Sequence, residues 1–345
     1  MSIFGQSRKS IATNLHADHN TQPRHKRDMA SSQIAGHSDP KPDLHAPDIY
    51  PDPLIITPEL EHRQSIIIFH GRGSFAAKFA PPLLATKAAG SDETLQAAFP
   101  HAKLIFPTAS RNRATIYKRS LTHQWFDNWH LDEHTERQDL MAKGLRKSVL
   151  YIHSLLREEI SVVGAENVVL WGLSQGCATA LTCLLTWDGE PFAAVVGMCG
   201  WLPFANVMVD MMAGNQPSSE TLDDENPFSH SGDEDGNPFA SEEALGLNDR
   251  GSDSALSAVN FLREELDMND DQTETFRKIP IFLGHGTEDD KVGIELGRES
   301  QKCLQLLGAD VRMLEYEGLG HWYSEDMLRN IFQFLKQELR DEKLR

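Results

Sequence analysis

Apolar residues in this chain fall into short dense runs separated by longer amphipathic stretches. The first run, Ser65-Ile-Ile-Ile-Phe69, is largely β-branched and ends at His70-Gly71. A half-exposed strand alternates apolar and polar positions, whereas a parallel strand buried on both faces reads as a continuous run of this kind. Ala102–Phe106, Val168–Trp171, Ala193–Cys199, Ile279–Leu283 and a stretch near 311–316 repeat the pattern. Between Glu136 and Ile160 the apolar residues fall instead at 141, 145, 149, 152, 156 and 160. Spacings of three and four put them on one face of a helix. Cys177–Trp187 is also compatible with a helix, and further helices are predicted near 294–307 and 325–341. Strands alternating with helices imply βαβ units and a mostly parallel sheet flanked by helices.

Two regions break the pattern. Residues 1–55 show no periodicity and read as a disordered N-terminal arm, leaving 56–345 as one domain. Within that domain, 205–275 is polar and acidic, and reads as a largely disordered insertion before the strand Ile279–Leu283. From Asp210 to Thr275 there are 18 Asp and Glu against two Arg, a net −16 out of −18 for the whole chain. The remainder is close to neutral, so the charge says little about substrate and offers no basic face for nucleic acid. One stretch of the insertion has helical spacing: Leu256, Val259, Leu262 and Leu266 share a face, with Ser252 or Asp253 able to cap it. A single short amphipathic helix is marginal without a docking face, so this reading takes the segment as a solvated addition, not a lid.

Composition narrows the setting. At 345 residues and 40% hydrophobic, the chain can bury a sizeable core. Its four cysteines, Cys177, Cys183, Cys199 and Cys303, have no metal or disulfide spacing and sit in apolar contexts. That suits a reducing compartment. No secretory h-region opens the chain and no run reaches the ~18 apolar residues of a membrane span, so a cytoplasmic protein is expected. Asn226-Pro227-Phe228 and Asn237-Pro238-Phe239 are tripeptides of the kind bound by EH domains, which makes weak contacts with such partners a further expectation.

The chemistry centres on Gly172-Leu-Ser174-Gln-Gly176, which follows a strand run and precedes a helical one. This is the context of a nucleophile elbow: the serine occupies a sharp strand-to-helix turn where side chains two residues either way would collide. A serine hydroxyl needs a histidine to take its proton and a carboxylate to orient the histidine. Of fifteen histidines, His321 stands just past the strand near 311–316. The carboxylate is expected after Ile279–Leu283, where Glu288, Asp289 and Asp290 all qualify, and spacing does not choose among them. An oxyanion hole takes one backbone N–H from the residue after the nucleophile, Gln175, and another from an early loop such as His70–Gly73. His70 itself is read as a brace for that loop. His130 and His134 have a helical metal spacing but lie in a polar loop without a suitable glutamate, so no metal is expected.

His70-Gly-Arg-Gly73, Gln124–Trp129, Gly172–Gly176, Cys199–Phe204, His285–Val292 and Glu317–Trp322 occur in this order. Together they resemble the phospholipase/carboxylesterase family of acyl-protein thioesterases over roughly 63–204 and 276–340. The resemblance implies an α/β-hydrolase fold and a serine hydrolase of acyl esters or thioesters, S-acylated proteins among them, working without a cofactor. It puts the acid at Asp289, completing a triad with Ser174 and His321, and the second oxyanion N–H at Arg72. Gly73, Trp201 and Trp322 are candidates for substrate contact. Trp201 leaves a strand at the end where sites of open α/β sheets lie, and Trp322 with Tyr323 is a bulkier pair than usual after the histidine. Arg72 replaces a usually apolar residue and Asp290 a usual proline. Two rival readings are a small-molecule carboxylesterase with no protein substrate, and a non-catalytic scaffold displaying the Asn-Pro-Phe motifs.

Overall fold

The structure, a computed structural model, describes residues 50–129, 136–214, 247–270 and 273–339, the side chains of 247–253 excepted. All of them belong to one compact unit, 47–345. In chain order the elements are strand β1 (Leu54–Ile56), strand β2 (Gln64–Phe69), helices α1 (Ala76–Ala85) and α2 (Leu95–Ala98), and strand β3 (Ala102–Phe106). Strands β4 (Arg111–Ala114) and β5 (Ser120–His123), helix α3 (Asp139–Val163), strand β6 (Val168–Leu173) and helix α4 (Gln175–Leu185) follow. Next come strand β7 (Ala194–Met198) and helices α5 (Ala205–Met212) and α6 (Leu247–Glu265). Strand β8 (Ile281–Gly286), helix α7 (Ile294–Leu306), strand β9 (Val311–Tyr316) and helix α8 (Glu325–Glu338) close the domain.

Seven strands form one sheet in the order β1-β3-β2-β6-β7-β8-β9, parallel throughout except for β1 against β3. The continuous apolar runs are explained by what covers them. Ile67, Phe69, Val168 and Leu170 join a core with α3 and α4, whereas Ile66, Ile68, Val169 and Trp171 join a second core with α1 and α8. Successive side chains of a strand point to opposite faces, so both registers of β2 and β6 must be apolar. On α3, Met141, Leu145, Val149, Ile152 and Leu156 are buried, the face that the sequence spacing selects.

Three expectations change. First, the domain begins inside the range assigned to the arm: β1 pairs with β3, and the Tyr50 ring stacks on Tyr151 at 4.0 Å. Residues 1–49 lie outside the described residues. Second, part of the range 205–275 is core. Helix α6 starts at Leu247, before the expected cap, and Ala255, Ala258, Val259, Leu262 and Leu266 are buried in the α3/α4 core. The docking face missing from a local reading is non-local. Phe261 meets the ring of Phe204, which precedes α5, edge-on at 6.3 Å, and Arg263 donates to the carbonyls of Thr186 (2.8 Å) and Asn269 (2.6 Å). Residues 215–246, with both Asn-Pro-Phe tripeptides, lie outside the described residues, as do His130 and His134. Third, β4 and β5 form a two-stranded antiparallel hairpin in a stretch where the apolar pattern predicts no strand. Among the described residues no helix is long and apolar enough to cross a membrane, and no cluster of metal-binding side chains occurs.

Candidate active site

Parallel strands carry their loops to one edge of the sheet, and the candidate residues follow the carboxyl ends of four of them. Arg72 and Gly73 follow β2, Ser174 follows β6, Asp289 follows β8 and His321 follows β9. Ser174 has φ 57° and ψ −121°, outside the regions open to most L-residues, and is the residue immediately before α4. The flanking glycines show what the turn needs. A Cβ at Gly172 would run into the Gly176 carbonyl, and one at Gly176 would stand 2.6 Å from the Phe69 oxygen and 2.8 Å from the His70 oxygen. The backbone N–H of Ser174 bonds to the Met198 carbonyl at 2.8 Å, fixing the turn to β7.

At this turn Ser174 Oγ lies 2.9 Å from His321 Nε2, and His321 Nδ1 lies 2.8 and 2.9 Å from the two Asp289 oxygens. A carboxylate only accepts, so the imidazole proton sits on Nδ1 and Nε2 is left to accept from the serine hydroxyl. The Asp289 side chain is fully closed to solvent. Burial alone would raise its pKa, but hydrogen bonds from His285, His321 and the Val292 N–H outweigh that and hold it well below the usual carboxylate range. Asp290 points outward to Lys291 at 3.0 Å, with its side chain 73% exposed. The geometry thus brings Asp289, and neither neighbour, to the histidine.

A cavity of about 410 Å³ opens beside Ser174 and His321. Gly73, Trp201 and Trp322 all line it, together with Phe79, Pro82 and Leu173. Trp322 is 44% exposed and packs edge-on against Phe79 at 6.3 Å, which places it at the mouth. Trp201 is buried against Phe126, ring to ring at 5.9 Å. Trp125 does not line the cavity; it is core, its Nε1 donating to the His70 carbonyl at 2.8 Å.

The sequence model of the family described as phospholipase/carboxylesterase matches residues 51–216 and 254–339. The chain belongs to the phospholipase/carboxylesterase family. Its similar relatives include acyl-protein thioesterase 1 of Gibberella zeae, 23% identical over 292 residues, which cover 83% of this chain and 95% of that protein. Acyl-protein thioesterase 1 of Yarrowia lipolytica is 23% identical over 297 residues, 84% of this chain and 99% of the relative. Among solved structures, the crystal structure of Zea mays acyl-protein thioesterase 2 superposes with a TM-score of 0.56 at 19% identity, covering 84% of this chain and all of that one. The shared fold is the α/β-hydrolase fold. The match includes 254–266, so the docked half of α6 belongs to the family's common body.

In this family member the loops around the serine are tied together by side-chain hydrogen bonds of Gln175 and Asn128 that the residue pattern does not announce. Gln175 donates through Nε2 to the Phe126 carbonyl (2.7 Å) and accepts from the Trp125 N–H (2.9 Å). Asn128 Oδ1 accepts from Arg72 Nη2 at 2.6 Å and from Gln175 Nε2 at 3.3 Å, joining the loop after β2 to the start of α4. The Gln175 N–H belongs to the first turn of α4, where helical N–H groups have no intrahelical acceptor. Neither it nor the Arg72 N–H bonds to another described group. His70 acts as the brace expected of it, fully buried, with Nδ1 donating to the Gly71 carbonyl at 2.7 Å and Nε2 accepting from Ala109 at 3.1 Å. Burial holds it neutral, its pKa lowered to about 4.

His285 went unassigned as well, although it opens one of the motifs. Its Nε2–H donates to the Val292 carbonyl at 2.8 Å and also reaches Asp289 at 3.3 Å. Two N–H groups of the acid loop, from Lys291 and Val292, each donate to Asp289 Oδ1 at 2.9 Å. That turn singles out one of the three carboxyl residues, and it is invisible in residue spacing.

Proposed function

We propose that this protein is a serine hydrolase that cleaves acyl esters or thioesters through an acyl-enzyme, in the manner of an acyl-protein thioesterase or carboxylesterase. The observation that carries the reading is the continuous line from Ser174 Oγ through His321 to buried Asp289 at the edge of a cavity. Family membership and relatives named as thioesterases support the same class.

In this mechanism His321 Nε2 takes the Ser174 proton as Oγ bonds to the acyl carbon. The carbonyl oxygen becomes an oxyanion, held by the N–H groups of Gln175 and Arg72, which need no reorganisation as charge develops. Asp289 stabilises the imidazolium and fixes its tautomer. The tetrahedral adduct collapses by breaking the bond to the alcohol or thiol, which leaves with the proton from His321. Water, deprotonated by the same nitrogen, then attacks the acyl carbon and restores Ser174 while releasing the acid. The apolar walls formed by Phe79, Leu173, Trp201 and Trp322 suit the hydrocarbon part of an acyl group, and the volume lies within the usual span for small-molecule sites, about 300–1,000 Å³.

Four unpaired, buried cysteines agree with a reducing compartment, and we place the enzyme in the cytoplasm. A panel of oxygen esters and S-acyl peptides of increasing acyl length tests the reading. Hydrolysis of some member of the panel, lost in Ser174→Ala, is expected. Turnover confined to small oxygen esters would assign a carboxylesterase without a protein substrate, and no turnover of any member would overturn the proposal.

A further inference from the structure

Three cations line the cavity, Arg72, Lys78 and Lys291, and among the described residues no Asp or Glu lines it. The three differ in how their charge is met. Lys291 reaches the exposed carboxylate of Asp290 at 3.0 Å. Lys78 stands exposed on α1 and makes no ion pair among the described residues. Arg72 is the informative one.

Its guanidinium donates through Nη2 to the neutral amide oxygen of Asn128, while Nε and Nη1 are closed to solvent and have no hydrogen-bond acceptor among the described residues. Burial lowers the Arg72 pKa, and Tyr117 and Asp127 favour its charge without contacting it. The Asp127 oxygens accept from Thr115 N (2.9 Å), Thr115 Oγ1 (2.5 Å) and Asn128 N (3.0 Å). Arg72 therefore has one bond, to a neutral amide, and no carboxylate in direct ion-pair contact among the described residues. Arg72 is half-buried; taking a charge partly out of water without an ion pair is unfavourable, and such a charge is less screened than one at the open surface. Arg72 follows Gly71, where an added Cβ would stand 3.2 Å from Ser174 Cβ, so its field falls on the reacting end of the cavity.

We propose that the enzyme selects esters or thioesters that carry a negatively charged group, a carboxylate or a phosphate, which supplies the countercharge that Arg72 and Lys78 lack. The apolar wall takes the hydrocarbon part and the cationic side takes the anion. This inference rests on the hydrolase reading given above, which is tested separately.

The experiment compares two matched pairs: 4-nitrophenyl hexanoate with the 4-nitrophenyl monoester of adipic acid, and phenyl hexanoate with the hexanoyl ester of 4-hydroxyphenyl phosphate. At low salt at least one anionic substrate is expected to exceed its neutral partner in kcat/KM by about tenfold or more, with the ratio falling as salt screens the field. The carboxylate and phosphate arms tell the two anions apart, and a gain in either supports the proposal. In Arg72→Leu, which keeps the backbone N–H, the anionic-to-neutral ratio is expected to collapse toward one. Because the readout is a ratio within one variant, a general loss of activity cancels. Lys78→Met, on an exposed position, gives a smaller fall in the same ratio and serves if Arg72→Leu does not fold. A binding arm uses the corresponding non-hydrolysable amides in calorimetry. If no ester is turned over but the anionic amide still binds more tightly in an Arg72-dependent way, the hydrolase reading fails and the charge preference stands. Wild-type enzyme that treats neutral and both anionic partners alike, or a ratio unmoved in both variants, overturns the proposal.

Discussion

Leu262→Ala tests whether α6 is part of the core or an appendage. Leu262 is fully buried, on a helix whose neighbouring contact residues Ala255 and Ala258 are small and bring its backbone close to the core. Leu-to-Ala changes in cores cost about 2–5 kcal/mol, more where the surroundings cannot collapse into the space. Here the next residue, Arg263, is pinned by its own guanidinium to the Thr186 carbonyl on one side and the Asn269 carbonyl on the other. That limits collapse and puts the expected loss at about 3–4 kcal/mol. At about 2–4 °C per kcal/mol for a domain of this size, Tm falls by roughly 6–16 °C. Urea unfolding followed by tryptophan fluorescence measures it, with exposed Glu264→Ala as the control, expected within about 0.5 kcal/mol of wild type. Short-ester kcat/KM per folded molecule is expected to stay within about twofold, since Leu262 does not line the cavity. A loss under about 1 kcal/mol would refute the reasoning, because it would mean that α6 contributes no packing of the kind described.

Asp289→Asn is expected to lower kcat by about 10³–10⁴-fold and Asp290→Asn by no more than about twofold; the reverse ranking, in steady-state kinetics, would move the acid by one residue. Gly172→Ala forces a Cβ into the Gly176 carbonyl and is expected to destabilise by about 1–3 kcal/mol, with turnover down about 10²-fold from a displaced nucleophile; a fully active, equally stable variant would contradict the turn geometry. His70 and His153 are buried with pKa values lowered from 6.5 to about 4, first by desolvation. The unfolded chain therefore takes up protons before the folded one as pH falls, and stability is intact above pH 6.5 and declines down to pH 4. Urea midpoints are expected to show each histidine contributing a loss of about 2 kcal/mol between about pH 7 and pH 5, reduced in His153→Gln; stability that rises over that interval would be inconsistent with two neutral buried imidazoles.

The parts legible in the sequence are those with local causes. Buried parallel strands must be apolar on both faces, so β2, β6 and β7 announced themselves, and the glycines flanking Ser174 marked the turn. What escaped depends on partners distant in sequence. Leu54–Ile56 sits between Pro53 and Thr57-Pro58, at the end of the range assigned to the arm, yet β3 offers it an antiparallel edge. The hairpin of β4 and β5 has no apolar run, and its polar residues are held by the ladder and by Asp127 accepting from Thr115. Helix α6 looked marginal because its docking face comes from α5 and from the end of α4. The choice among Glu288, Asp289 and Asp290 turned on a backbone turn around Asp289 and on His285, neither of which residue spacing encodes.

The central claim is that Ser174, activated by His321, forms the covalent intermediate. Intact-mass and peptide-mapping analysis after treatment with a fluorophosphonate tests it most directly. One adduct per chain, mapped to Ser174, absent from folded Ser174→Ala and formed far more slowly in His321→Ala, is the result predicted. An adduct on another residue, or wild-type-like labelling of Ser174→Ala, would contradict it.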